Sequence, residues 1–210
     1  VQLSLYNLQV DSIDLMQFHV WQDSFATTDY WKEAIKDLTA QGKVKHWGIS
    51  INDYQPTNVL KTLETGLIDT VQFIFNIYHQ EPEKELLPYA EKNNIGLIAR
   101  VPLDEGGLTG KITPEAVFGD FRDDFFKNGR KVEVIERAEK LKKVMGSEAS
   151  NLPELALRWI LNYDEISVVI PGMRKVNHAL DNAKVSDGRK LSDSLMTELK
   201  SHAWERNFYH

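Results

Sequence analysis

Short apolar runs alternate with longer amphipathic stretches along the chain. The short runs are rich in β-branched and aromatic residues and are apolar at nearly every position, which is typical of strands buried on both faces. They predict five strands, at residues 13–20, 44–51, 70–77, 95–101 and 166–170.

The amphipathic stretches predict helices between these strands. Trp31, Ala34, Ile35 and Leu38 fall at i, i+3, i+4 and i+7, on one helix face, and Gly42 follows as a stop signal. Further helices are predicted at residues 56–65, 83–93, 131–145, 153–162 and 175–183, with a last one near 193–203. Because each predicted strand is followed by a helix, the chain is predicted to form a parallel α/β sheet.

Five βα units fit either an open sheet or part of a closed barrel. An open dinucleotide-binding sheet carries a G-x-G-x-x-G turn, which is missing from the sequence. A (β/α)8 TIM barrel of about 250 residues holds eight units. The predicted fold class is therefore α/β, a partial TIM barrel with about five parallel βα units present and three N-terminal units absent. Residues 1–8 follow a helix pattern without a cap, so we expect that a segment before Val1 has been lost.

Composition and charge restrict the class of partner. The chain has 210 residues, 25 Lys and Arg, 31 Asp and Glu, a formal net charge of −6 and no cysteine. The sequence has no stripe of basic residues of the kind that binds nucleic acid, so a nucleic-acid partner is not predicted. No apolar run approaches the ~20 residues that a membrane helix needs. We therefore expect a cytoplasmic protein without disulfides. The histidines at positions 46, 79, 178, 202 and 210 lack metal-ligand spacing, so no metal site is predicted.

Several motifs follow one another in a fixed order. They are S-L-x-x-L-x-x-D-x-I-D-L-x-x-x-H at 4–19, G-K-V with W-G-I-S at 42–50, Q-F-I-F-N at 72–76, V-P-L with G-G-L-x-G-K at 101–111, A-L-x-W at 156–159, P-G-M-R at 171–174 and D-N at 181–182. This series resembles the fourth to eighth barrel units of the aldo-keto reductase family over essentially the whole chain. Residues 1–210 are accordingly expected to be the C-terminal part of a single aldo-keto-reductase-like barrel domain.

The resemblance implies NADP(H)-dependent reduction of aldehydes or ketones, without metal or flavin. In the family, hydride passes from the nicotinamide to the carbonyl carbon, a Tyr with a lowered pKa protonates the oxygen, and a His orients the carbonyl. Of the family's catalytic Asp, Tyr, Lys and His, only the His has a counterpart here, His19. We therefore expect the chain alone to be nearly inactive. The alternative for His19 is a hydrogen-bonded core residue.

The resemblance also assigns residues to the nicotinamide end of the cofactor. Ser50 and Gln72 match the pair that holds the carboxamide, although both could be polar residues that flank strands. Asn52 lies one place later than the family's asparagine and is not assigned. Arg100 stands where the family places an aromatic residue against the ring; it is expected to stack there or to pair with a carboxylate. Trp21 is a candidate wall of the substrate pocket, with core packing as the alternative.

Phosphate and adenine contacts are implied further along the chain. The backbone of Val101, Pro102 and Leu103 with Gly106 and Lys111 matches the pyrophosphate loop, Gly172 and Arg174 the 2′-phosphate site, and Asp181 and Asn182 the adenine pair. His178 replaces the family's Arg or Gln, which weakens the preference for NADP over NAD. Ordinary turns with solvated cations are the alternative for each site. Residues 120–126 either line an entrance or fold over a helix.

The prediction is therefore an NADP(H)-dependent carbonyl reductase that acts on a small molecule. Two alternatives are a cofactor-binding protein resembling a regulatory subunit, and an inactive truncated barrel that serves as an interaction module. Open sheet edges predict self-association in either case.

Overall fold

A computed structural model describes residues 1–209, and His210 lies outside the described part of the chain. The strands are β1 (Ile13–Trp21), β2 (Val44–Ile51), β3 (Thr70–Ile74), β4 (Gly96–Arg100) and β5 (Ile166–Val169). The α-helices are α1 (Gln2–Leu8), α2 (Tyr30–Ala40), α3 (Leu60–Leu63), α4 (Leu86–Asn93), α5 (Arg122–Phe125), α6 (Arg130–Val144), α7 (Leu152–Leu161), α8 (Val176–Lys184) and α9 (Asp193–Lys200). Short 3-10 helices span Asp23–Thr27, Glu81–Glu83 and Asp104–Thr109. All five predicted strands are confirmed.

The strands pair in the order β1-β2-β3-β4-β5, as a five-stranded sheet, and β1–β2 and β2–β3 are parallel pairs. A parallel α/β sheet is thus confirmed. The prediction of a partial eight-unit barrel with three units absent is wrong as a description of these residues, which form a five-stranded parallel sheet.

Two helices differ from their predicted bounds for local reasons. In the predicted helix 56–65 only Leu60–Leu63 is helical, because Val59 has φ −152°, outside the helical region. The predicted helix 83–93 begins only at Leu86, after the 3-10 turn around Pro82, and ends where Asn94 adopts φ 55°. Among the residues described, no helix is long and apolar enough to cross a membrane.

The chain divides into two compact units, here called unit 1 and unit 2. Unit 1 comprises Val1–Phe73 and Glu81–Ile98. Its core includes Val44, Ile49 and Val71, which are at most 1% exposed. The predicted burial on both faces is correct for most of β2 but wrong for β1, where only the two end residues are buried.

Unit 2 comprises Ile74–Gln80 and the chain from Ala99 onward. Its most buried helix is α7, whose N-terminus is capped by the Asn151 side chain, which accepts from Glu154 N at 3.0 Å. Trp159 on this helix is fully buried and contacts Phe75, with ring centroids 4.7 Å apart. In contrast, no residue of α8 is buried.

Candidate functional site

In unit 1, His19 lies at an irregularity in β1. Phe18 pairs with Ile49 and Trp21 pairs with Ile51, so three steps along β1 match two along β2. The extra residue is a β-bulge, and Val20 takes the left-handed φ of 56°. Bulges re-aim side chains and are common beside active sites. His19 is exposed, so it does not occupy the hydrogen-bonded core position that the alternative interpretation requires.

A chain of amides crosses three strands of unit 1. Gln17 Nε2 donates to Gln72 Oε1 at 3.4 Å, and Gln72 Nε2 donates to Ser50 Oγ at 3.4 Å. The structure therefore brings the predicted pair Ser50 and Gln72 together, as register partners on β2 and β3. Gln17 Oε1 is buried and accepts no hydrogen bond from the described residues. A buried acceptor without a donor fits a ligand that carries an N–H group, such as a carboxamide.

Sequence reasoning missed Gln17. Its position two residues before His19 on the same strand is the signal that could have found it, since alternate residues share a strand face. Gly48 makes room for it: a Cβ on Gly48 would lie 2.9 Å from Gln17 Cγ. Asn52, which the resemblance leaves unassigned, has a buried Oδ1 that also lacks a donor among the described residues.

Trp21 is buried, at 4% exposure. Its Nε1 donates to Thr62 Oγ1 at 2.9 Å, and its ring lies 5.1 Å from Phe18 and 5.2 Å from Trp31, centroid to centroid. These contacts are those of the core-packing alternative. A role in lining a substrate pocket stays a prediction.

In unit 2, the end of β4 is held by a buried asparagine. Asn76, which is 0% exposed, donates from Nδ2 to Val101 O at 3.0 Å, and its Oδ1 accepts from Tyr78 N at 3.0 Å. Val101 has φ 54°. Arg100 is half-buried, and its positive charge opposes the burial-driven rise in the pKa of Glu105. Stacking on the ring and pairing with a carboxylate both stay predictions for Arg100.

The predicted phosphate loop is a compact turn. Gly106 N and Leu108 N both donate to Leu103 O, at 2.9 and 3.0 Å, and Pro102 is buried. Gly110 has φ 64°, in the left-handed region that favours glycine. The exposed Lys111 side chain makes no hydrogen bond with the described residues.

The turn before α8 has the expected helix start. The helix begins at Val176, one residue after the predicted start, and Lys175 is its extended N-cap. Asn182 Nδ2 donates to Gly172 O at 3.3 Å. This hydrogen bond links a residue predicted to contact the adenine to the turn predicted to bind the 2′-phosphate. Asp181 pairs with Lys184 at 2.9 Å, and His178 is half-buried. Gly172 borders open space, since a Cβ added there would have no heavy atom within 4 Å.

The segment around residue 120 carries an ordered ion pair. Arg122 Nε and Nη2 donate to the Asp120 carboxylate at 2.9 and 2.7 Å. These bonds, with a smaller contribution from the charge of Arg174, lower the pKa of Asp120 to about 2. The Arg122 guanidinium also lies 4.7 Å from the Phe118 ring centroid. The entrance interpretation of this segment stays a prediction.

Comparison with known proteins decides the family. A sequence model of the Aldo/keto reductase family matches residues 1–203. The chain belongs to this family. An aldo-keto reductase, YhdN of Bacillus subtilis, is 32% identical over 180 residues, which cover 83% of the chain and 54% of that protein. The NADH-specific methylglyoxal reductase of Escherichia coli is 27% identical and covers 97% of the chain and 63% of that enzyme.

Solved aldo-keto reductases share the fold. The glycerol dehydrogenase AKR11B4 from Gluconobacter oxydans matches with a TM-score of 0.78 and 27% identity, over 95% of this chain and 61% of that one. The holo form of AKR11C1 from Bacillus halodurans matches with a TM-score of 0.77 and 21% identity, over 99% and 65%. A TIM-barrel fold is consistent with these neighbours. The chain spans about three fifths of the length of these structures, yet it is itself matched almost throughout, which does not support three absent units.

The aldo-keto reductase family has a common general chemistry. Aldo-keto reductases use nicotinamide cofactors, and small carbonyl compounds are consistent substrates. The relatives differ in cofactor: the Escherichia coli enzyme is named as NADH-specific, and an aldo-keto reductase of Schizosaccharomyces pombe, 26% identical, is named with NADP(+). The choice between the two cofactors therefore rests on the residues of this chain.

Proposed function

We propose that the protein reduces aldehydes or ketones to alcohols and prefers NADPH as the reductant. The observation that supports the preference for NADPH is that the Arg174 side chain is exposed. Arg122, Arg158 and Arg189 each pair with a carboxylate. In contrast, Arg174 is exposed and makes no hydrogen bond or ion pair with the described residues. An uncommitted guanidinium just before a helix N-terminus favours a phosphate, the group that distinguishes NADPH from NADH.

The amide chain of unit 1 supports a nicotinamide carboxamide as ligand. Gln72 and Ser50 offer both donors and acceptors, and the buried Gln17 Oε1 requires a donor. A neutral, planar amide satisfies all three groups, whereas a carboxylate would face the Gln17 oxygen with a second acceptor. The residues present therefore fit the cofactor that the family uses.

The remaining roles follow from the chemistry of each side chain. A bound nicotinamide cofactor supplies the hydride that a carbonyl carbon accepts. His19 orients the carbonyl oxygen by a hydrogen bond, for which its exposed imidazole is available. Lys111 neutralises part of the pyrophosphate charge, and Arg100 borders the nicotinamide ring or pairs with a carboxylate. The proton donor is not assigned to any tyrosine of this chain.

The test uses the natural-length protein. We expect carbonyl-dependent oxidation of NADPH, and we expect Arg174→Met to weaken NADPH binding by about 1–3 kcal/mol while NADH binding is unchanged. Lys143→Met is the matched control, because it removes one exposed positive charge from α6. Equal affinity of wild type and Arg174→Met for NADPH would contradict the phosphate assignment. Equal affinity of the wild type for NADH and NADPH would contradict only the preference.

Self-association is part of the proposal. Large apolar side chains are exposed on α1 and α8: Leu3 is 70% and Tyr6 80% exposed on α1, and Val176 is 78% exposed on α8. Exposed apolar side chains of this size favour association. Sedimentation of the natural-length protein at several concentrations tests this, and a monomer throughout would contradict it.

A further inference from the structure

The last described residues of unit 2 contact the phosphate loop through a buried ion pair. We call residues 204–209 the brace and Asp104–Thr109 the phosphate loop. Arg206 Nη2 lies 2.5 Å from Asp104 Oδ2, and the two side chains are 5% and 0% exposed. A second bond joins the same segments, since Tyr209 OH donates to Glu105 Oε1. Two consecutive loop residues are therefore each held by the brace.

The brace is itself anchored. Trp204 N donates to Tyr78 O at 2.8 Å, and Arg130 Nη1 donates to Phe208 O at 3.0 Å. The Arg206 guanidinium lies 4.2 Å from the Trp204 ring centroid and 4.6 Å from that of Phe208. These aromatic faces shield the cation from water and fix its direction. The brace is consequently a defined structural element rather than a loosely attached tail.

The loop residues that the brace holds have an unfavourable backbone conformation. Asp104 and Glu105 have φ of 51° and 53°, in the left-handed region that residues other than glycine rarely adopt. Such residues keep this conformation only where the surrounding structure enforces it, and they cluster at ligand-binding sites. Arg206 and Tyr209 supply side-chain contacts that enforce it.

The phosphate loop depends on the ion pair because the Asp104 carboxylate is fully buried. Asp104 Oδ1 is buried and has no hydrogen-bond partner among the described residues, so Arg206 is the cation that stabilises this carboxylate. Burial raises the pKa of Asp104, and the charge of Arg206 opposes the rise. Without Arg206, a buried carboxylate would lack its counter-charge, and the loop would have to move to solvate it.

We propose that Arg206 and Tyr209 are positioning residues, which hold the phosphate loop in the conformation that binds the cofactor pyrophosphate. Cofactor affinity then depends on a segment that itself contributes no residue to the proposed site. This inference rests on the proposed nicotinamide-cofactor function.

The experiment compares four variants of the natural-length protein. Arg206→Met removes the ion pair, Arg206→Lys keeps the charge, and Tyr209→Phe removes the hydroxyl that donates to Glu105. Arg189→Met is the control, because it removes an arginine of unit 2 that pairs instead with Glu154. The readouts are the Kd for NADPH, kcat and the KM for a carbonyl compound, thermal unfolding, and hydrogen exchange of the loop amides without cofactor.

We expect Arg206→Met to raise the Kd for NADPH by about 3- to 30-fold, with partial recovery in Arg206→Lys and a smaller rise in Tyr209→Phe. Loop amides should exchange faster in the same order, while kcat at saturating NADPH and the KM for the carbonyl compound stay unchanged. Unchanged loop exchange, or an equal rise in Kd for Arg189→Met, would overturn the proposal. If the wild type binds no nicotinamide cofactor, the proposed function fails, and loop exchange still decides whether the brace holds the loop. If Arg206→Met does not fold, Tyr209→Phe decides the outcome.

Discussion

Ser50 and Gln72 are register partners on adjacent parallel strands, and Gln72 Nε2 lies 3.4 Å from Ser50 Oγ. This separation is near the outer limit of a hydrogen bond, so the contact contributes little to the stability of the fold. Both groups are therefore available to a ligand at small cost. The same holds for the 3.4 Å contact between Gln17 and Gln72.

The first prediction concerns this pair. Ser50→Ala and Gln72→Met should each weaken nicotinamide-cofactor binding by about 1 kcal/mol, because each removes a hydrogen bond to the carboxamide. Their effect on the free energy of unfolding should be smaller. Cofactor titration and urea unfolding of both single variants and the double variant check this. If each variant lost as much free energy of unfolding as free energy of cofactor binding, Ser50 and Gln72 would be structural residues without a role in binding.

The second prediction concerns Gly48. A Cβ there would lie 2.3 Å from Thr70 Oγ1 and 2.9 Å from Gln17 Cγ, so Gly48→Ala should destabilise the fold by about 1–3 kcal/mol. Gly172→Ala is the matched control, because its Cβ would have no heavy atom within 4 Å. Thermal unfolding should separate the two variants. A Gly48→Ala protein with the unfolding temperature of the wild type would show that the Thr70 and Gln17 side chains can both move aside at no cost.

The third prediction concerns the buried Arg158, which is 4% exposed and pairs with Glu154 at 2.8 Å and Asp187 at 2.7 Å. Burial raises the pKa of Glu154, but hydrogen bonds from Ser150 and Arg158 outweigh it and lower the pKa to about 2. The hydrogen bond from Arg158 also lowers the pKa of Asp187. Because folding lowers these pKa values, the stability they contribute is present above pH ~4.5 and is lost as the pH falls towards ~2.

Arg158→Met should therefore lower the free energy of unfolding by roughly 3 kcal/mol at neutral pH and by less near pH 3. Urea unfolding at both pH values measures the difference. Lys45→Met is the control, since the Lys45–Asp14 pair is exposed and its removal should change neither value appreciably. A constant deficit for Arg158→Met at both pH values would contradict the linkage argument.

Much of the fold could be predicted because strands and helices leave local patterns. The predicted bounds of β2 coincide with those observed, and α8 and α6 are displaced by one residue at each end. In contrast, the number of units in a sheet is not encoded in any local pattern. Counting βα units against an eight-unit barrel therefore produced the incorrect prediction of absent units.

Some features of the candidate site could likewise be predicted from local motifs, and others could not. Ser50 and Gln72 could be predicted because both belong to motifs on paired strands. The contact between Asp104 and Arg206 could not, because the partners are 102 positions apart and Arg206 lies outside every motif of the series. Gln17 was missed for another reason: its signal is an orphaned acceptor, which exists only once neighbouring side chains are in place.

The bulge at Val20 has a consequence for anyone who transfers this strand into another protein. Phe18–Trp21 covers three steps against two on β2. On a regular strand the side chains of these residues would alternate between the two faces without interruption. Every side chain after the bulge would then point to the face of the sheet opposite to the one it occupies here. His19 and Trp21 thus form a transferable pair only together with the distorted backbone between them.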